Sequence, residues 1–108
     1  MTRLRTHPGE VLKEEYLAPL GLSARALAKE LDIPANRLTE IVRGARDVSA
    51  DTAIRLGRYF GTDPRFWLNL QASHDLSKAE KANSYKKIVP RTAALPLRSP
   101  DGAKRNPG

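Results

Sequence analysis

Residues 35–40 concentrate side chains whose types and spacing suit recognition of base-pair edges: Ala35, Asn36, Arg37, Thr39 and Glu40. An asparagine can pair with adenine and an arginine with guanine, while alanine or a threonine methyl group can contact the methyl group of thymine. Taken singly, each side chain is better explained by local capping or by a solvated surface. The hypothesis of base reading therefore depends on their occurrence together on one exposed face.

The elements that must position this segment lie in residues 22–44, whose pattern predicts two short helices joined by a tight turn. Ser23 is suited to cap a helix from Ala24 to Leu31. Pro34 then opens a second helix, whose buried face is formed by Leu38, Ile41 and Val42. This is a helix-turn-helix arrangement, in which the second helix can enter the major groove of DNA.

Charge supports a nucleic-acid partner. The 108 residues have a formal net charge of +7 and an isoelectric point near 10.1, which indicates an acidic polymer as partner. Polar and basic residues that flank the two helices are predicted to contact DNA phosphates. These residues are Ser23, Arg25, Arg43 and Arg46.

Further helix signals complete an all-α, five-helix bundle over residues 1–83. A first helix is expected from Pro8 to about Leu17, ended by Pro19 and Gly21. Ser49 is expected to cap a fourth helix that ends near Phe60, and Asp63 with Pro64 to start a fifth that continues through Lys81. Within this bundle the helix-turn-helix would form a DNA-binding domain.

Residues 84–108 differ in composition from the rest of the chain. They carry a net charge of +5 and four of the eight prolines, so we expect a flexible, disordered tail without helix or core. The tail could add salt-dependent contacts with phosphates, or it could be inert, and the sequence favours neither.

Other classes of function find little support. Ser73, His74 and Asp75 are consecutive, and neighbours on a helix point about 100° apart, so they cannot form a catalytic triad. His7 and His74 are the only histidines and there is no cysteine, which argues against a metal or cofactor site. We therefore expect no enzyme. With neither a signal peptide nor an apolar span in the sequence, the expected location is cytoplasmic.

Four blocks within residues 7–76 resemble the HigA antitoxins, also labelled virulence-associated protein I, of the Xre helix-turn-helix class. They begin His7-Pro-Gly-Glu-Val-Leu, Leu31-Asp-Ile-Pro-Ala-Asn-Arg-Leu, Ile41-Val-Arg-Gly-Ala-Arg-Asp and Phe60-Gly-Thr-Asp-Pro-Arg-Phe-Trp. The resemblance implies a lambda repressor-like DNA-binding domain in a dimeric repressor. It also implies binding to a palindromic operator and neutralisation of a HigB toxin, a RelE-like mRNA nuclease. The alternative is a stand-alone Xre-type repressor without a toxin partner.

Two further surfaces are expected. Apolar residues point to more than one side of the fifth helix, which favours a homodimer through Phe66, Trp67, Leu68 and Leu70. For Trp67 alone, burial in the protomer's own core is at least as good an explanation. The acids Glu10, Glu14 and Glu15 could face a basic toxin, or they could form a solvated helix face.

Overall fold

The computed structural model describes residues 6–91, and this part of the chain is helical with no strand. Helix α1 comprises three continuous segments, Pro8–Val11, Leu12–Leu17 and Ala18–Leu20. The other helices are α2 (Ala24–Leu31), α3 (Ala35–Val42), α4 (Ala50–Phe60) and α5 (Pro64–Ala82). The expectation of an all-α fold with five helices is confirmed.

Local chemistry explains where most helices begin. The Ser23 hydroxyl accepts a hydrogen bond from the Ala26 N–H at 3.0 Å, and the Ser49 hydroxyl accepts one from Thr52 at 3.3 Å. A carboxylate oxygen of Asp63 accepts from the Arg65 N–H at 2.8 Å. These bonds satisfy backbone donors that have no partner within the helix, so the predicted starts of α2, α4 and α5 are confirmed.

Helix α1 extends beyond its predicted end at Leu17. Its middle segment adopts the wider π-helical form, in which the Ala18 N–H donates to the carbonyl of Lys13. In a regular α-helix the ring of Pro19 would collide with the carbonyl four residues earlier, and the wider turn makes room for it. The helix ends at Gly21, whose φ of 61° is left-handed, so this part of the prediction is confirmed. Pro19 lies within the helix, and the expectation that it also ends α1 was wrong.

The core forms where α1, α4 and α5 pack around the helix-turn-helix, which consists of α2 and α3. Its fully buried members include Leu12, Leu27, Leu38, Ile41, Leu56 and Trp67. Helix α1 lies directly against the end of α3, because a β-carbon at Gly9 would come within 1.7 Å of the carbonyl oxygen of Ile41. Only glycine allows this approach. The position of α3 is thus fixed by α1 as well as by α2.

A buried amide joins the loop after α3 to α5. Gln71, only 6% exposed, accepts a hydrogen bond from the Val48 N–H at 2.7 Å. Its NH₂ group donates to Asp47 at 3.2 Å and to Asp75 at 3.0 Å. Because buried polar groups are costly when unpaired, this set of bonds fixes the path of the loop between α3 and α4.

Trp67 is fully buried, which corrects its expected place in a dimer interface. Its indole N–H donates to the Thr62 hydroxyl at 2.9 Å, and its ring lies 5.1 Å from that of Tyr16. Trp67 follows the turn into α5 on the side that faces α1, so its own protomer covers it. Burial in the core is thus the correct alternative for this residue.

Beyond α5, residues 84–91 are exposed and non-helical. Residues 1–5 and 92–108, which include most of the expected tail, lie outside the described part of the chain. None of the described helices combines the length and apolar character needed to cross a bilayer.

Candidate nucleic-acid interface

The packing of α3 determines which of its side chains face outward. Leu38 and Ile41 are fully buried and anchor one side of the helix to the core. Asn36 is exposed, and Arg37, Thr39 and Glu40 are partly exposed. Ala35 is partly buried and packs against the core, so only part of its methyl group faces outward. None of the five predicted base-reading residues is enclosed within the protein.

Asn36 and Thr39 offer complementary groups. The Thr39 hydroxyl donates to the backbone carbonyl of Asn36 at 3.3 Å. The methyl group and the oxygen lone pairs of Thr39 therefore remain available to a base. Within residues 6–91 the Asn36 carboxamide makes no hydrogen bond to protein. Its donor and acceptor are both available, as a bidentate pair with adenine requires.

Arg37 is held by an ion pair with helix α4. One of its terminal nitrogens donates to the Asp51 carboxylate at 2.8 Å. The same carboxylate oxygen accepts from the Arg55 Nε at 2.9 Å. Hydrogen bonds from Arg55, and next from Arg37, lower the pKa of Asp51 below its usual value, so this carboxylate is ionised at neutral pH.

Glu40 and Arg46, predicted respectively to read a base and to contact phosphate, bind each other. The Arg46 Nε donates to one Glu40 oxygen at 2.9 Å, and a terminal nitrogen of Arg46 lies 2.8 Å from the same oxygen. Both side chains are substantially exposed, and such pairs contribute only about 0–1 kcal/mol. A DNA phosphate can therefore replace Glu40 as the partner of Arg46 at little cost.

The predicted phosphate contacts lie on either side of α3. Arg25 lines a groove between α2 and α3 together with Lys29 and Ala35. Arg46 lines a second depression between α3 and α4 together with Arg37 and Ser49. Ser23 and Arg43 are exposed at the start of α2 and the end of α3. The Ser23 oxygen accepts the capping bond, and its proton remains able to donate to a phosphate.

The other predicted residues lie elsewhere on the fold. Glu10, Glu14 and Glu15 are exposed on α1. On α5, Phe66 is 37% exposed, whereas Leu68 and Leu70 are partly buried against the core. Of the four predicted dimer residues, Phe66 is thus the most accessible.

Sequence reasoning missed two residues of this surface, Asp51 and Lys29. The spacing of Asp51 and Arg55 is an i,i+4 pair and is recognisable from sequence. The bond from Asp51 to Arg37 spans 14 residues and leaves no local signal. Lys29 is one basic residue among many, and only the packing of α2 on α3 places it beside Ala35.

The fold and this surface define a helix-turn-helix DNA-binding domain. The family model described as Helix-turn-helix (HTH_3) matches residues 12–67. Virulence-associated protein I of Dichelobacter nodosus is 59% identical over 75 residues, which cover 69% of each chain. The chain belongs to the HigA family of Xre-type helix-turn-helix proteins.

Solved structures agree with this assignment. The Pseudomonas aeruginosa antitoxin HigA, solved with higBA promoter DNA, is 44% identical with a TM-score of 0.78, covering 82% of this chain and 99% of that one. An addiction module antidote protein of the HigA family from Coxiella burnetii is 49% identical with a TM-score of 0.75, covering 82% and 99%. Other relatives are named as antitoxins or as helix-turn-helix transcriptional regulators.

Proposed function

We propose that this chain is an antitoxin of the HigA type that represses its own operon. It binds operator DNA as a homodimer in the cytoplasm, where the chromosome lies, and neutralises a HigB-like mRNA nuclease. The observation that carries the proposal is the exposed side of α3, where Asn36 is accessible opposite the buried Leu38 and Ile41, and Arg37 is partly exposed at the edge of the buried side. A relative of 44% identity was solved with promoter DNA, which supports the same use of this face.

In the proposed complex, the start of α3 enters the major groove. Asn36, Arg37 and Thr39 contact base edges, with Ala35 and Glu40 at the margin of the contact. Phosphates on either side bind the flanking polar and basic residues, namely Ser23, Arg25, Arg43 and Arg46. No cofactor is needed for this recognition.

Exposed apolar residues support the proposed dimer. Phe66 and Leu76 on α5 are 37% and 63% exposed. Large apolar groups that remain exposed on one helix are consistent with a second protein surface. A two-fold dimer would place two α3 helices about 34 Å apart, one turn of B-DNA, and would require an inverted-repeat operator.

The acidic residues of α1 are the proposed toxin contact. Glu10, Glu14 and Glu15 are all exposed, and a basic nuclease would be attracted to them. If the adjacent gene product neither inhibited growth nor bound this chain, the function would be that of a stand-alone repressor and not of an antitoxin.

The DNA half of the proposal is tested with the region upstream of the protein's own gene. Footprinting is expected to show protection of an inverted repeat. Arg37→Ala is expected to lower operator affinity by about 1–3 kcal/mol, because it removes one hydrogen-bonded contact between a side chain and a base. The decrease on random DNA should be smaller. Equal decreases on operator and random duplexes would contradict base reading by Arg37.

The toxin half is tested separately by co-expression with the adjacent gene product. We expect growth to be rescued and the two proteins to co-purify. If growth is not rescued and the two proteins do not co-purify, the chain is a DNA-binding repressor without a toxin partner.

A further inference from the structure

Asp51 joins the DNA-facing helix to the rest of the molecule. It is the second residue of α4, and one of its oxygens accepts hydrogen bonds from both Arg37 and Arg55. The guanidinium of Arg37 has five N–H donors, and its bond to Asp51 at 2.8 Å uses a single terminal nitrogen. The other donors remain available to a base or a phosphate.

The position of Asp51 is itself supported. Arg55, its second partner, also donates to the carbonyl of Leu31 at 2.7 Å, at the end of α2. This bond satisfies one of the carbonyls left unpaired at a helix C-terminus. A continuous series of hydrogen bonds therefore runs from α2 through Arg55 and Asp51 to Arg37 on α3. An isolated surface ion pair would lack this support.

An arginine without such a partner would favour binding without sequence preference. Phosphates occur in every DNA sequence, and a mobile arginine can reach whichever one is near. An arginine held in one geometry loses less conformational freedom when it forms a bidentate contact with guanine. The negative charge of Asp51 also repels DNA phosphates. It therefore disfavours complexes in which Arg37 contacts only a phosphate and no matching base.

We propose that Asp51 is a positioning residue that determines sequence specificity, by orienting Arg37 and by penalising phosphate-only contacts. This inference rests on the proposed function, since it requires that α3 reads operator DNA. Asp51 itself need not touch a base. Its effect is on the ratio of operator affinity to random-DNA affinity more than on operator affinity alone.

The test compares wild type with Asp51→Asn on operator and random duplexes of equal length at fixed salt. We expect the variant to bind random DNA more tightly. We also expect the operator-to-random ratio to fall at least about fivefold, the lower end of what one good base contact contributes. An unchanged ratio would overturn the inference.

Asp63→Asn is a matched control. Asp63 also lies at a helix start, is 52% exposed against 56% for Asp51, and pairs with an arginine, Arg65. Asparagine retains the capping function at this site. The substitution makes the same change in net charge at the start of α5. Asp63 lines neither of the two depressions beside α3. We expect it to leave the ratio unchanged.

A double-mutant cycle shows whether Asp51 acts through Arg37. Arg37→Ala alone is expected to lower the ratio, and adding Asp51→Asn to it is expected to lower the ratio no further. A further decrease of the same size as in the wild-type background would overturn the inference, because Asp51 would then act independently. A wild type without operator preference would defeat the proposed function itself, and the inference with it.

Thermal unfolding checks that each variant is folded, with midpoints expected within about 5 °C of wild type. Should Asp51→Asn fail to fold, Asp51→Ser removes the same charge with a residue that is tolerated at a helix start. The criterion for the ratio stays the same for this variant.

Discussion

At the scale of single residues, different side chains of α3 serve folding and the proposed recognition of DNA. Leu38 and Ile41 are fully buried and hold α3, while Asn36 on the opposite face has no structural task in the described part of the chain. Substitutions at Asn36 can therefore separate recognition from stability. His7 illustrates the reverse case, a side chain whose ionisation bears on the fold.

Asn36→Ala is expected to weaken operator binding by about 1–3 kcal/mol, because alanine cannot form the bidentate pair with adenine. The unfolding midpoint should not change, since the side chain is exposed. Fluorescence anisotropy with labelled operator measures the affinity. Asn69→Ala is the control, because Asn69 is also an exposed helical asparagine but lies on α5. An equal weakening in both variants would contradict base reading at Asn36.

His7 is expected to make the fold less stable on acidification. Burial, and next the nearby His74, lower the pKa of His7, against smaller opposing effects of Asp47 and Asp75, while Lys78 also lowers it. Its Nδ1 accepts the Gly9 N–H at 2.8 Å, a bond that protonation destroys. The neutral form is thus favoured in the folded state. This contribution is complete above the unfolded pKa of about 6.5 and declines as the pH falls toward the lower folded value.

Urea unfolding at pH 7.5, 6.5 and 5.5 measures this effect of His7. His7→Asn replaces the capping Nδ1 by a side-chain oxygen and removes the titrating group, so its unfolding free energy should fall less over this range than that of wild type. Identical pH dependence of the two proteins would assign the effect to other groups.

At the scale of elements, helix starts were predictable and long-range bonds were not. Ser23, Ser49 and Asp63 cap helices through bonds that span two or three residues, so the local sequence contains the signal. The pairing of Gln71 with Val48 spans 23 residues, and nothing near either residue predicts it. The end of α1 was predicted too early, because the sequence does not show that the helix widens before Pro19. The wider turn allows the helix to continue past this proline.

Gln71→Met is expected to destabilise the fold by about 1–3 kcal/mol, because it leaves the buried Val48 N–H without its partner. Methionine has a similar length and flexibility, so the destabilisation would come mainly from the missing hydrogen bonds. Chemical unfolding measures the change, and Asn69→Met at an exposed position of the same helix is the control. A midpoint equal to that of the control would show that the amide bonds do not stabilise the loop.

At the scale of the whole molecule, the net positive charge is concentrated in the residues that follow α5 in the sequence. Residues 84–108 carry +5 of the total +7. The proposed base-reading surface and this charge are thus separable by truncation. The helical bundle, the family and the exposed side of α3 could be predicted from sequence, whereas the burial of Trp67 and the bond between Arg37 and Asp51 depend on how distant helices meet.

Deletion of residues 84–108 is expected to leave the unfolding midpoint unchanged, because the buried core of residues 6–91 lies within α1–α5 and the loop before α4. DNA binding should become less salt-dependent, since fewer phosphate charges are neutralised. Operator affinity measured over a range of salt concentrations gives this slope, which should decrease by about 0.9 for each phosphate that the tail neutralises. An unchanged slope would assign the tail to another role.

The burial of the single tryptophan provides an intrinsic optical signal. Its indole lies within an aromatic group formed with Tyr16 and Phe66, and it emits from an apolar environment while the protein is folded. Solvent entry on denaturation should shift that emission to longer wavelength. Because this ring lies in the core and α3 contains no aromatic residue, the unlabelled protein can report its own integrity in the same cuvette in which DNA is titrated.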